Sequence, residues 1–169
     1  MKIDIQEIKK RTGASQKYQL REMIASLTLG EDRLDFTQPV EAQLTAINTG
    51  ETILVRGEIR TEVRLRCARC LETYRYSLTA DFEEEFQDRT VVHGEPEEGI
   101  HLYEGNYIDL KEQVEENLLL AVPMKALCRH NCKGLCSLCG QNLNEAQCNC
   151  EREDIDPRLA VLKDLLDNK

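Results

Sequence analysis

The spacing of the cysteines constrains this chain more than any other feature. Six of its eight cysteines fall between Cys128 and Cys150, in the run CRHNCKGLCSLCGQNLNEAQCNC. Inside it, Cys136-Ser137-Leu138-Cys139-Gly140 has the form of a zinc knuckle: two thiolates two residues apart, then a glycine where the backbone turns so that amides can face the sulfurs. Cys148 and Cys150 supply a second pair. Four thiolates so close together suit the closed tetrahedral sulfur site that zinc takes in a structural role, with no position left for substrate. The competing reading, reduced cysteines as small core residues, conflicts with Lys133, Asn142, Asn144, Glu145, Gln147 and Asn149, which leave no apolar periodicity to bury them. A structural Zn2+ on Cys136, Cys139, Cys148 and Cys150 is expected.

The remaining pair, Cys67 and Cys70, has Leu71 where a knuckle would carry glycine, which makes it a weaker zinc signal. With Cys128 and Cys132 it would complete a second four-sulfur site. Buried or redox-active thiols are the alternative for these four.

A length of 169 residues allows one ordinary core with a small metal-stapled appendage. The expected division is a sheet core over 1–126, a cysteine-rich module over 127–152 and a terminal helix over 153–169. MKIDIQEIKKRTG has no apolar run after its basic residues, and no stretch of about 18 apolar residues occurs. No membrane span and a cytoplasmic location are expected, and reducing conditions there disfavour disulfides. A formal charge of −9 repels phosphate polyanions and favours a basic protein as partner.

The core is written in alternation. From Ile53 to Cys67 the odd positions are mostly apolar, and the even ones carry Arg56, Glu58, Arg60, Glu62, Arg64 and Arg66. After Cys70 the even positions take over with Tyr74, Tyr76, Leu78, Ala80, Phe82 and Phe86. Two half-buried strands joined at Ala68-Arg69 would set Cys67 opposite Cys70, Val63 opposite Tyr74, Ile59 opposite Leu78 and Gly57 opposite Ala80. On the outer face, that register places Glu62 against Arg75 and Arg56 against Asp81. It leaves one conflict, Glu72 opposite Leu65 on the inner face. A further strand is expected after Pro39, closed by a turn at Asn48-Thr49-Gly50. Met1–Arg11 fits a short strand or a helix turn, and Tyr18–Leu29 a strand or a helix.

Asp109, with Glu112 three residues on, reads as a capping box for a helix whose face carries Leu110, Val114, Leu118 and Ala121, widened by Leu119 and Leu120 and ended by Pro123. Asp156-Pro157 opens a second amphipathic helix with Leu159, Leu162, Leu165 and Leu166 on one face. Between Asp81 and Glu98 lie eight acidic residues, and HGEPEEG reads as a solvated loop. His93-Gly94-Glu95 matches the H-x-E of zinc deaminases only superficially, because no proline precedes Cys136. The fold class is α+β: an antiparallel sheet with a long central hairpin, packed helices and a small C-terminal cysteine-rich zinc module.

Four segments in order, RCARCLETYRYSLTADFEEEF, IDLKEQVEENLLLAVP, CKGLCSLCGQNLN with its trailing C-x-C, and DPRLAVLKDLL, resemble the YceD family, named for accumulation of large-subunit ribosomal RNA. The resemblance covers residues 52 to 166. It implies a bacterial or plastid factor that helps large-subunit ribosomal RNA to be processed or to accumulate, with no established enzymatic activity. Some members of the family keep only the pair matching Cys67 and Cys70, which moves the functional emphasis toward the hairpin.

The expected function is therefore a non-enzymatic assembly factor that binds a ribosomal protein or pre-ribosomal particle. No small-molecule substrate or membrane is implied. Arg64, Arg66 and Arg69 are candidate contacts to RNA or partner, weighed against cross-strand ion pairing of the arginine stripe. A redox- or zinc-responsive regulator using the thiolate clusters is the alternative. A hydrolase is disfavoured, since a closed four-sulfur zinc cannot activate water.

Overall fold

The structure, a computed structural model, describes residues 1–29, 32–92 and 98–150. The loop reading at His93–Glu97 and the terminal helix expected over 153–169 lie outside the described residues. The rest is α+β and mostly antiparallel.

The two ambiguous N-terminal stretches each resolve into a pair of elements. Met1–Arg11 holds both a strand, β1 (Lys2–Asp4), and a helix turn, α1 (Gln6–Lys9), in succession. Ile3, Ile5 and Ile8 are all buried, so a period of two passes into a period near four on the same core face. The next stretch becomes β2 (Ser15–Glu22) and β3 (Ser26–Leu29). Then come β4 (Asp32–Phe36), β5 (Val40–Asn48), β6 (Ile53–Arg66), β7 (Thr73–Asp88), β8 (Ile100–Tyr103), β9 (Tyr107–Asp109) and α2 (Lys111–Leu120). At the end of β5 the buried Asn48 closes the turn as expected. Its amide nitrogen donates to the Ile8 and Lys9 carbonyls at 2.9 and 3.2 Å, and its oxygen accepts from Gly50 N–H at 2.8 Å.

β6 is the centre of the sheet. β7 pairs with it from Ile53 to Arg66, while β5 joins along Ile53–Arg60 and β4 at Val63–Arg64. β2 extends the sheet beyond β5, β3 beyond β4, and β8 runs parallel to β7. Gly57 is needed for this crowding: a Cβ there would stand 2.0 Å from the Gln43 carbonyl oxygen of β5.

The inner faces are the ones that alternation predicts. Val55, Ile59, Val63, Leu78, Phe82 and Phe86 are all buried. The register differs by two residues from the expected one. Val63 faces Tyr76, Ile59 faces Ala80, Gly57 faces Phe82 and Leu65 faces Tyr74. A two-residue slip keeps every side chain on its face, so the burial pattern cannot distinguish the two pairings. The turn decides: Cys67 N–H donates to the Glu72 carbonyl at 2.8 Å, which lengthens the connection to Ala68–Leu71 and removes the Glu72–Leu65 conflict. On the outer face Arg75 still reaches Glu62, at 3.6 Å and now diagonally, but Arg56 faces Glu83 instead of Asp81.

α2 lies against β7 and β3 with Leu110, Val114 and Leu118 fully buried beneath it. Burying each such side chain contributes about 1.5–3 kcal/mol. The expected capping box is not made. Asp109 ends β9, its carboxylate accepts the Lys111 amide at 3.2 Å, and the helix starts one residue later than a cap at Asp109 would place it. Leu120 does not extend the buried stripe; it is 84% exposed.

Candidate metal centres

Each of the two centres is built on a turn of the same design. In the first, Arg69 N–H points at the Cys67 sulfur at 3.5 Å, and Leu71 N–H closes the turn on the Cys67 carbonyl at 3.0 Å. In the second, Leu138 N–H points at the Cys136 sulfur at 3.4 Å, and Gly140 N–H closes on the Cys136 carbonyl at 2.9 Å. The flanking bonds also correspond, Cys67 N–H to Glu72 O and Cys136 N–H to Gln141 O, both 2.8 Å. The turn needs a left-handed residue after its second cysteine. Gly140 supplies it at φ 74°, and Leu71 adopts it at φ 61° despite its side chain. The absence of glycine at 71 is therefore a strained version of the knuckle and no sign that the knuckle is missing.

The fold brings Cys67 and Cys70 to Cys128 and Cys132, and separately gathers Cys136, Cys139, Cys148 and Cys150. Within each set the sulfurs lie within 4.8 Å of one another. Cys67 and Cys132 are 3.8 Å apart, Cys70 and Cys128 3.7 Å. A disulfide requires about 2.05 Å. Four sulfurs about 2.3 Å from a central zinc stand about 3.8 Å apart along each edge of the tetrahedron. The donor set and the spacing in the first centre therefore fit a four-coordinate thiolate metal site, and either group of four can hold a metal ion.

Electrostatics divides each set in the same way. The Cys128 and Cys70 amides hold the Cys67 thiol down to about 6. The Glu72 amide pulls Cys70 in the same direction, but burial and the three neighbouring sulfurs together push it up to about 12. In the second centre the Cys139 and Leu138 amides hold Cys136 down to about 6, and the Cys139 sulfur, then burial, push Cys150 up to about 12. Fixed amides thus stabilise the first thiolates, and mutual repulsion resists the last. A divalent cation removes that repulsion.

The two centres are tied together by the short segment between them. Leu135 N–H donates to the Arg69 carbonyl at 3.1 Å, and Gly134, at φ 77°, sits so close to Arg69 that a Cβ would meet its carbonyl oxygen at 3.1 Å. Asn144, from the segment between Cys139 and Cys148, reaches the first centre: its amide nitrogen donates to the Cys132 sulfur at 3.4 Å, while its oxygen accepts Lys133 N–H at 2.8 Å. Asn142 reaches back to the Glu72 carboxylate at 2.9 Å.

Of the three candidate contact arginines, all exposed, two already hold the turn. Arg66 donates to the Leu71 carbonyl at 3.1 Å, and Arg69 braces the first centre by donating to the Cys132 carbonyl at 2.7 Å. Arg64 has Arg75 as its cross-strand neighbour on β7 and Asp35 on β4. Sequence reasoning counted Asn144 only as a polar neighbour and missed its bond to the Cys132 sulfur and Arg69's brace; it placed Tyr74 on the inner face, where its buried hydroxyl has no hydrogen-bond partner among the described residues. Gly134, two residues after Cys132, is a sequence signal from which the tight turn there could have been read.

A small α+β sheet protein carrying two clusters of four cysteines that could each hold a metal ion, one of them joining the hairpin tip to the cysteine-rich segment, is the class these features define. The family profile of the large ribosomal RNA subunit accumulation protein YceD matches residues 55–166, and the chain belongs to that family. It is similar to a chloroplastic homologue of YceD in Arabidopsis thaliana, 27% identical over 75% of this chain and 48% of the relative, and to one in Zea mays, 26% identical over 80% of this chain and 58% of the relative. An uncharacterised protein of Mycobacterium tuberculosis is 28% identical over 98% of this chain and 81% of its own length. The chain thus spans about half the length of the Arabidopsis relative. No solved structure matches it. Among the described residues no helix is long and apolar enough to cross a membrane.

Proposed function

We propose that this chain is a non-catalytic factor that promotes processing or accumulation of large-subunit ribosomal RNA by binding a ribosomal protein or pre-ribosomal particle. The observation that carries this reading is the family match over residues 55–166, supported by the names of the plant relatives. Two structural zinc ions complete the molecule, one on Cys67, Cys70, Cys128 and Cys132, the other on Cys136, Cys139, Cys148 and Cys150. Zinc there supplies cross-linking and charge neutralisation; with four sulfurs around it there is no open position for a reaction. The chain's own residues do the rest. Arg69 and Asn144 hold Cys132, and the knuckle amides hold Cys67 and Cys136.

The partner is met through the hairpin tip, where Arg64, Arg66 and Arg69 stand exposed beside the first centre. Arg64 lies between Arg75 on β7 and Asp35 on β4, and Arg75 is already drawn to Glu62 at 3.6 Å, which leaves Arg64 as the tip arginine to meet an acidic or phosphate group. Depletion of the protein should lower the ratio of large- to small-subunit ribosomal RNA, with fewer large subunits on sedimentation. An unchanged ratio would remove the ribosomal reading and leave a metal protein whose thiolates should next be challenged with peroxide. In complementation, Arg64→Glu should fail to restore the ratio while retaining full zinc content.

A further inference from the structure

A loop that begins and ends at the second centre reaches into the first. Residues 140–147 run between Cys139 and Cys148, whose sulfurs lie within 4.8 Å of each other. Both ends of the loop are thus fixed at one place, and its middle meets the other cluster. Asn144 donates to the Cys132 sulfur at 3.4 Å and accepts Lys133 N–H at 2.8 Å. Asn142 donates to the carboxylate of Glu72, two residues beyond Cys70, at 2.9 Å. The same loop therefore touches both halves of the first cluster, the hairpin side through Glu72 and the segment side through Cys132 and Lys133. Asn142 also holds Asn144, since its side-chain oxygen accepts the Asn144 backbone N–H at 3.1 Å and the Asn144 side-chain amide at 2.8 Å. Leu143 N–H adds a bond to the Gly134 carbonyl at 2.9 Å.

The bond to sulfur has a particular consequence. The N–H groups that point at Cys67 and Cys136 are backbone amides of the knuckles themselves. Asn144 instead brings a donor from one cluster to a ligand of the other. An N–H aimed at a ligand sulfur stabilises the thiolate and fixes its direction. Packing does little to hold the loop's ends, because Cys139 is exposed and Cys148 half-buried. Four sulfurs gathered on a metal ion would close the loop and set Asn144 in place in advance.

We propose that the two centres are coupled through Asn144, a positioning residue of the first centre that the second centre holds in place, so that metal at either raises the affinity of the other. Linkage makes the effect reciprocal. The coupling requires metal in both clusters, as proposed above, and does not depend on the ribosomal reading. At saturating zinc the first centre fills even without the second, so the coupling is read in affinity and not in stoichiometry.

Hydrogen exchange read by mass spectrometry, on the full chain in buffers of graded free zinc, follows each centre through its own turn, 67–72 or 136–141. In Asn144→Ala the 67–72 turn should lose protection at about tenfold higher free zinc than in the parent. The 136–141 turn, to which Asn144 makes no hydrogen bond, should shift in the same direction by reciprocity. Cys139→Ser should shift the 67–72 turn by a similar factor, and adding Asn144→Ala to it should cost less than about twofold more. Asn142→Ala, which removes the bonds that hold Asn144, should give the same non-additivity, and unchanged exchange in β2 and β5 confirms that each variant is folded. Two zinc ions per parent chain, with equal Asn144→Ala shifts in the two backgrounds, would overturn the coupling alone. Fewer than two would overturn the metal reading and the coupling together.

Discussion

At the scale of single residues, Leu71 and the Lys9–Asp88 pair show how local chemistry is held by distant contacts. Leu71 occupies the left-handed region at φ 61°, which costs an L-residue about 1–2 kcal/mol. Leu71→Gly should relieve this and, after the added entropy of the unfolded chain, stabilise the protein by about 0.5 kcal/mol. Leu71→Val, branched at Cβ, should cost about 2 kcal/mol and weaken metal retention at the first centre. Thermal unfolding with metal analysis reads both. Lys9 bonds the Asp88 carboxylate, donates to the Gly105 carbonyl at 3.0 Å and lies 5.1 Å from the Tyr103 ring centre. That bond, with the Thr90 amide and hydroxyl, holds the Asp88 carboxyl down to about 2. Since the folded value is below the unfolded one, the stabilisation is complete above about pH 4 and fades as pH falls toward 2. Lys9→Met should cost about 1 kcal/mol at pH 7, reduced for the partial exposure of Lys9. In urea titrations the gap from the parent should narrow below pH 4; a gap constant down to pH 2 would sink this account.

At the scale of elements, the hairpin β6–β7 shows what alternation determines and where it stops. Period two places Val55, Ile59, Val63, Phe82 and Phe86 inside, and the structure agrees. It says nothing about a slip of two, because that slip exchanges one inward residue for another. The knuckle chooses, since its closing bond from Cys67 N–H to Glu72 O requires four residues between those positions. Gly57 has a matching role on the other edge. Gly57→Ala would put a methyl group 2.0 Å from a backbone oxygen of β5. The backbone cannot move aside without opening the β5–β6 ladder, so a loss of about 3 kcal/mol is expected. Amide exchange should rise first in β2 and β5, which depend on β6 for their place in the sheet. A neutral Gly57→Ala would mean that β5 slides freely on β6.

At the scale of the whole molecule, the first centre is where the cysteine-rich segment and the sheet become one unit. Cys67 and Cys70 come from the hairpin, Cys128 and Cys132 from the segment, and Ala68 N–H bonds the Ala126 carbonyl at 2.8 Å. Cys128→Ser should therefore free residues 127–150 from the hairpin as well as release one metal ion. Cys139→Ser, at the exposed edge of the second centre, should lower zinc from two per chain to one and leave the first centre and the sheet in place. Elemental analysis with circular dichroism separates these outcomes. Equal collapse of both variants would mean that the second centre is as integral to the core as the first.

Local sequence was enough to determine the faces of the strands, the α2 core positions Leu110, Val114 and Leu118, and the grouping of the second cysteine set. Each of these depends on a repeat or a spacing within a few residues. Tertiary structure alone decided the hairpin register, the exposure of Leu120 and the left-handed turn at Leu71. It also brought together Cys67 and Cys132, 65 positions apart, a grouping that the sequence offered only as one of two readings. These depend on which surfaces meet. Periodicity states that a side chain is turned inward; only packing determines what it meets there.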